Sequence, residues 1–115
     1  MGAITTHVLD TARGRPAVGM AVLLERRDPN RGEWKSIGHG ETDEDGRLRT
    51  LLSEGAALEP GQYRLIFDTR TYFEGHSVRT LYPSIIIVFE VAPGEPHYHV
   101  PLLLGPFGYT TYRGT

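Results

Sequence analysis

Short stretches that alternate apolar and polar residues with a period of two, each closed by glycine or proline, run along nearly all of this chain. A backbone with that period sends successive side chains to opposite faces, so each stretch reads as a half-buried strand. Ile4, Thr6 and Val8 share one face, and Thr5, His7 and Leu9 the other. Met20, Val22 and Leu24 alternate with Ala21, Leu23 and Glu25, and Trp34–His39 reads as a short third strand. The turn Thr42-Asp43-Glu44-Asp45-Gly46 follows, suited to a tight reversal because glycine takes positive φ at little cost. Leu48–Leu52 comes next, and then Tyr63, Leu65 and Phe67 alternate with Arg64, Ile66 and Asp68.

One short helix interrupts the pattern. Asp68 or Thr69 is placed to cap Arg70–Glu74, with Gly75 ending it and Tyr72 and Phe73 packing onto a sheet. Ile85–Val91 is apolar on both faces, which predicts a strand covered on both sides. His97–Leu104 and Tyr109–Arg113 complete the set. Seven or eight short strands with regular turn signals predict an all-β protein, a two-layer antiparallel β-sandwich. The fourteen glycines and eight prolines are spread as punctuation, with no linker or repeat, so residues 1–115 read as one domain.

Composition excludes several function classes. With no cysteine, disulfides, thiolate metal sites and a cysteine nucleophile are ruled out. A net charge of −2 and no basic stripe argue against nucleic acid as a partner. The longest apolar run, Ile85–Phe89, is far too short to span a bilayer. Met1–Asp10 has no basic start followed by an apolar run, and a soluble cytoplasmic protein with no membrane partner is the expectation.

Three features do not fit a plain sandwich. In His97–Leu104, Tyr98, Val100, Leu102 and Leu104 form an apolar face that must be core, which turns His97, His99, Pro101 and Leu103 outward. That face is too apolar for simple solvent surface and too polar for core. A solvated strand, a subunit interface and a ligand groove all fit it, and His-x-His spacing admits a weak metal reading with no nearby carboxylate on the strand. His7 lies outward in the same way, beside Leu9. Arg47 and Arg49 share a face at a strand start, which by itself is what a solvated hairpin shows. The closing Gly108–Thr115 ends on a strand pattern with Thr110, Tyr112 and Gly114 on one face and Tyr109, Thr111 and Arg113 on the other. His39 and His76 read as loop residues with no assigned role.

Ile4–Asp10 followed by Gly14-Arg15-Pro16-Ala17, then Asp45-Gly46-Arg47, His97–Leu104 and Tyr112-Arg113-Gly114-Thr115 resemble the 5-hydroxyisourate hydrolases, the enzyme branch of the transthyretin-like proteins. The resemblance covers the whole chain in order, and its last two blocks are the most specific, being absent from the hormone-carrying transthyretins. Thr115 departs from the family's usual serine but keeps a hydroxyl.

The resemblance implies eight strands, one short helix and a homotetramer, a dimer of dimers with active sites in a channel between subunits. It implies a purine-derived substrate, 5-hydroxyisourate, opened by water at an amide-type carbonyl to a carboxylated ureidoimidazoline, without metal or other cofactor. His7 and His99 would bind and activate the water, Arg47 would bind substrate and act in catalysis, and Tyr112, Arg113, Gly114 and Thr115 would close the pocket, with His97 a support at the rim. A pH profile rising near the ordinary histidine pKa, around 6.5, is expected. Two rivals are a transthyretin-like carrier of a small aromatic ligand and a zinc hydrolase using His97 and His99.

Overall fold

The computed structural model describes residues 3–115, so Met1 and Gly2 of the N-terminal stretch lie outside the described residues. Nine strands and one helix occur among these residues, in the order β1 (Ala3–Asp10), β2 (Arg15–Pro16), β3 (Ala21–Arg27), β4 (Trp34–Glu41), β5 (Arg47–Leu48), β6 (Gly61–Phe67), α1 (Thr69–Gly75), β7 (Ile85–Val91), β8 (His97–Gly105) and β9 (Gly108–Thr111). They form two sheets. One runs β2-β1-β8-β9 with β5 also paired to β1, and the other runs β4-β3-β6-β7. Between them lies the core that the alternation predicts: Ile4, Val8, Val22, Leu24, Tyr63, Leu65, Phe67, Tyr98, Val100, Leu102 and Leu104 are all buried. The sandwich expectation holds.

The structure differs from the sequence reading in three places. The first is strand sense, because β1 and β8 pair in parallel, from Ala3 against His97 to Asp10 against Leu104, while the other strand pairs are antiparallel. These two strands stand at opposite ends of the sequence, and without a hairpin between them no turn dictates an antiparallel pairing. The second is Leu48–Leu52, which is a strand only at Leu48 and Arg47 before it. Leu48 and Leu51 are both core residues. Their spacing of three puts them on opposite faces of any strand, so the chain bends to bury both. The third is Ile85–Val91, which is an edge strand with one open face, Ile86 being 48% and Val88 55% exposed.

The helix forms as expected. Asp68 caps it by accepting from the Thr71 amide, and Thr69, Tyr72 and Phe73 are buried. It is fastened to β1 by a hydrogen bond from the Tyr72 hydroxyl to the fully buried Asp10 carboxylate, 2.8 Å long. Burial, with Asp10 adding to it, pushes the Tyr72 phenol up to about 12. Tyr72→Phe is expected to cost about 1–3 kcal/mol, because it leaves a buried carboxylate short of a donor. Chemical denaturation will read this as a lower midpoint at unchanged slope.

Candidate active site

The outer face of the five-stranded sheet gathers the unusual residues. The parallel register sets Thr5 beside His99 and His7 beside Pro101, and β5 sets Arg47 beside His7 on the other edge of β1. Paired residues in neighbouring strands point to one face, so Thr5, His7, Arg47, His97 and His99 look out together.

Turn chemistry positions two of them. The Asp43 carboxylate accepts from the amides of Asp45 and Arg47, each at 2.9 Å, and these bonds hold its carboxyl below the usual carboxylate range. Gly46 completes the turn at φ 78°, and its carbonyl accepts from the Val8 amide at 2.8 Å. A Cβ at Gly46 would stand 2.4 Å from the Val8 carbonyl oxygen, so only glycine lets the turn sit this close to β1. The turn then aims the Asp45 carbonyl at His7 Nε2, 2.8 Å away. A carbonyl only accepts, so Nε2 carries the proton, and in the neutral ring Nδ1 is the acceptor nitrogen.

His99 is half-buried and held from two sides. Thr5 Oγ1 lies 2.8 Å from its Nδ1. On the other side, the C-terminal segment bridges back to β8, with the Gly114 amide donating to the His99 carbonyl at 2.7 Å. A Cβ at Gly114 would fall 2.6 Å from His99 Cδ2 and 3.2 Å from Pro101 Cγ, so a larger residue there would displace the tail or the imidazole. Burial, and after it the positive charge of Arg47, His7, His97 and Arg49, pulls the His99 pKa below the ordinary histidine value. The expectation of a profile centred near 6.5 therefore shifts to lower pH, in the direction that favours the neutral, proton-accepting ring.

The two arginines part company. Among the described residues the Arg47 guanidinium has no ion pair, whereas Arg49 lies 3.9 Å from the Asp43 carboxylate. Arg49 and His97 also line an open groove of about 590 Å³ with Ser53, Glu54 and Pro96, at the end of the sheet beyond His99.

At the C-terminus, Gly114 meets the cluster, while Tyr112 is exposed. Arg113 does not join it. Its guanidinium stacks on the Tyr98 ring at 4.4 Å from the centroid, lies 3.5 Å from the Glu95 carboxylate and donates to the His97 carbonyl at 3.4 Å. Within this chain those contacts anchor the tail to β8 and to Glu95. The residue alternates with Tyr112 and Gly114, and that alternation turns it to the opposite side of the segment. Thr5, on the same face as His7, is the further residue that the parallel register brings to His99.

No three histidine or carboxylate side chains among the described residues are placed to hold a metal ion together. What the face offers is two imidazoles fixed by hydrogen bonds beside an unpaired guanidinium. That set can deprotonate a water and stabilise a developing oxyanion.

Comparison with known proteins separates fold from site. The fold matches sea bream transthyretin, solved in complex with thyroxine, at a TM-score of 0.89 and 31% identity, covering 97% of this chain and 94% of that one. It matches the 5-hydroxyisourate hydrolase of Klebsiella pneumoniae at a TM-score of 0.84 and 34% identity over the full length of both. The backbone thus leaves carrier and enzyme level. Sequence favours the enzyme: the 5-hydroxyisourate hydrolase of Salmonella typhimurium is 45% identical over 97% of this chain and 80% of its own length. That of Mus musculus is 41% identical over 97% and 94%. The pattern of the HIUase/Transthyretin family matches residues 4–114, and with that coverage and the shared fold the chain belongs to that family.

Proposed function

We propose that this protein hydrolyses 5-hydroxyisourate in urate degradation. The observation that carries the proposal is the meeting of His7, His99 and Arg47 on one outward face of a chain whose enzyme relatives are 40–45% identical to it. A carrier needs no such set. Water held by the two imidazoles loses a proton to one of them as its oxygen attacks the cyclic amide carbonyl. Arg47 faces the oxyanion with a planar fork of donors, the ring C–N bond breaks, and the departing nitrogen takes a proton. The carbonyl carbon becomes the carboxylate of the ureidoimidazoline, so water is the only co-reactant. Tyr112, Arg113, Gly114 and Thr115 complete the binding pocket. The test is to add the protein to a urate oxidase reaction and follow the absorbance of the intermediate. Faster decay, undiminished by a chelator, is expected. Decay at the spontaneous rate would sink the proposal, and loss on chelation would favour a zinc hydrolase.

A cytoplasmic homotetramer, a dimer of dimers with sites between subunits, is the rest of the proposal. Two observations support the assembly. The open edge strand β7 presents Ile86 and Val88. The segment leading into it meets the β8–β9 turn, where the Leu81 amide donates to the Pro106 carbonyl and the Tyr82 and Tyr109 rings lie 5.5 Å apart. Leu81, Phe107 and Tyr109 there are 62%, 67% and 42% exposed, an apolar flank that calls for a partner. Light scattering at micromolar concentration is expected to give about four times 12.8 kDa, and a stable monomer would contradict the channel.

A further inference from the structure

We infer that Thr5 is a positioning residue that sets the tautomer of His99, accepting a hydrogen bond from His99 Nδ1–H and so leaving Nε2 unprotonated. This rests on the reading of His99 as a water-activating base. The geometry is specific: Thr5 Oγ1 stands 2.8 Å from His99 Nδ1 and 3.5 Å from His97 Nε2. A hydroxyl has one proton and two lone pairs, so it can accept from one imidazole while turning its own proton toward the other. With His99 donating, the Thr5 proton points to His97 Nε2, long for a hydrogen bond, and the chain of polarity runs from His99 to the exposed rim.

The parallel register explains why Thr5 in particular does this. It is the β1 residue directly opposite His99, on the same outward face, whereas its neighbour Thr6 is buried and donates to the Val100 carbonyl at 2.6 Å. The tail runs close along the ring, since even a Cβ at Gly114 would fall 2.6 Å from its Cδ2. His7, on the same strand as Thr5, is settled by a comparable device from the turn before β5, its Nε2–H held by the Asp45 carbonyl. The two imidazoles are therefore fixed in opposite senses, His7 protonated on Nε2 and His99 on Nδ1. A histidine left to itself in water favours the Nε2–H form, so the His99 tautomer needs a partner to hold it.

Long-range proton–nitrogen spectra of the histidine rings at neutral pH test this on the native protein. An unprotonated Nε2 and a protonated Nδ1 are expected for His99, and the reverse assignment would overturn the inference. In kinetics, Thr5→Val keeps the side-chain shape and removes the hydroxyl. It is expected to lower kcat on the order of tenfold to a hundredfold with KM little changed, while moving the His99 ring toward Nε2–H. Thr5→Ser restores the hydroxyl and is expected to recover most of kcat. Normal kcat in Thr5→Val, or a Thr5→Ser as slow as Thr5→Val, would contradict a role for the hydroxyl. His99→Asn separates the two claims: a slow His99→Asn beside a normal Thr5→Val overturns the positioning role alone, whereas a normal His99→Asn overturns the base reading on which it rests.

Discussion

His99→Asn is expected to lose on the order of 10²–10⁴ in kcat, the size of a missing general base. Asparagine keeps a hydrogen-bonding side chain in a similar volume but cannot take a proton at neutral pH. The neighbouring His97→Asn should lose far less, because His97 is exposed and, among the described residues, its Nε2 has only the 3.5 Å approach to Thr5. Combining His7→Asn with His99→Asn should cost scarcely more than the worse single change, since groups acting on one water are not additive. The pH dependence follows from the direction of the His99 shift. A lowered pKa means that the base form is already dominant at neutral pH, so kcat/KM should be flat there and fall only as acid protonates the ring, below the ordinary histidine range. A profile that is still rising above pH 7 would remove His99 from that role, and full turnover in His99→Asn with loss in His97→Asn would exchange the two.

Arg47→Ala is expected to lose at least on the order of 10²–10³ in kcat/KM, comparable to removing one preorganised oxyanion donor, while Arg49→Ala retains most of the activity. The distinction is geometric. Arg47 pairs in register with His7 and its guanidinium is free of ion pairs among the described residues, so its donors remain for a ligand. Arg49 is two-thirds exposed and 3.9 Å from Asp43, with only a solvent-screened attraction to lose. Arg47→Lys should recover little, because a point charge does not replace a planar fork. Equal losses at positions 47 and 49 would mean that the family's arginine is assigned a strand position away from its true place.

Much of this was legible in the sequence, because a strand's alternation is a local property. Tyr98, Val100, Leu102 and Leu104 identify the core face of β8 without any partner, and that assignment turns His99 outward. The same logic turns His7 outward, and capping chemistry narrows the helix start to Asp68 or Thr69, of which Asp68 is the cap. What alternation could not supply was pairing. Nothing local makes β1 run parallel to β8, yet that register alone brings Thr5 to His99. Nor does an apolar run reveal its neighbours: Ile86 and Val88 read as doubly covered, but β7 lies at a sheet edge. The tail shows the limit from the other side. Period two separates Arg113 from Tyr112 and Gly114, and the Arg113 guanidinium lies over the Tyr98 ring while Gly114 meets His99, but alternation does not say which of them touches a substrate.

The most direct test of the account is turnover at low enzyme. Freshly generated 5-hydroxyisourate should be mixed with about one hundredth as much protein, native and His99→Asn in parallel, and its absorbance followed to completion. Native protein is predicted to consume many equivalents of the intermediate per chain, at an initial rate proportional to protein, with His99→Asn close to the spontaneous decay. An acceleration that stops after one equivalent, or a native protein that leaves the decay unchanged or slows it, would show a ligand-binding relative of the transthyretins and contradict catalysis on this face.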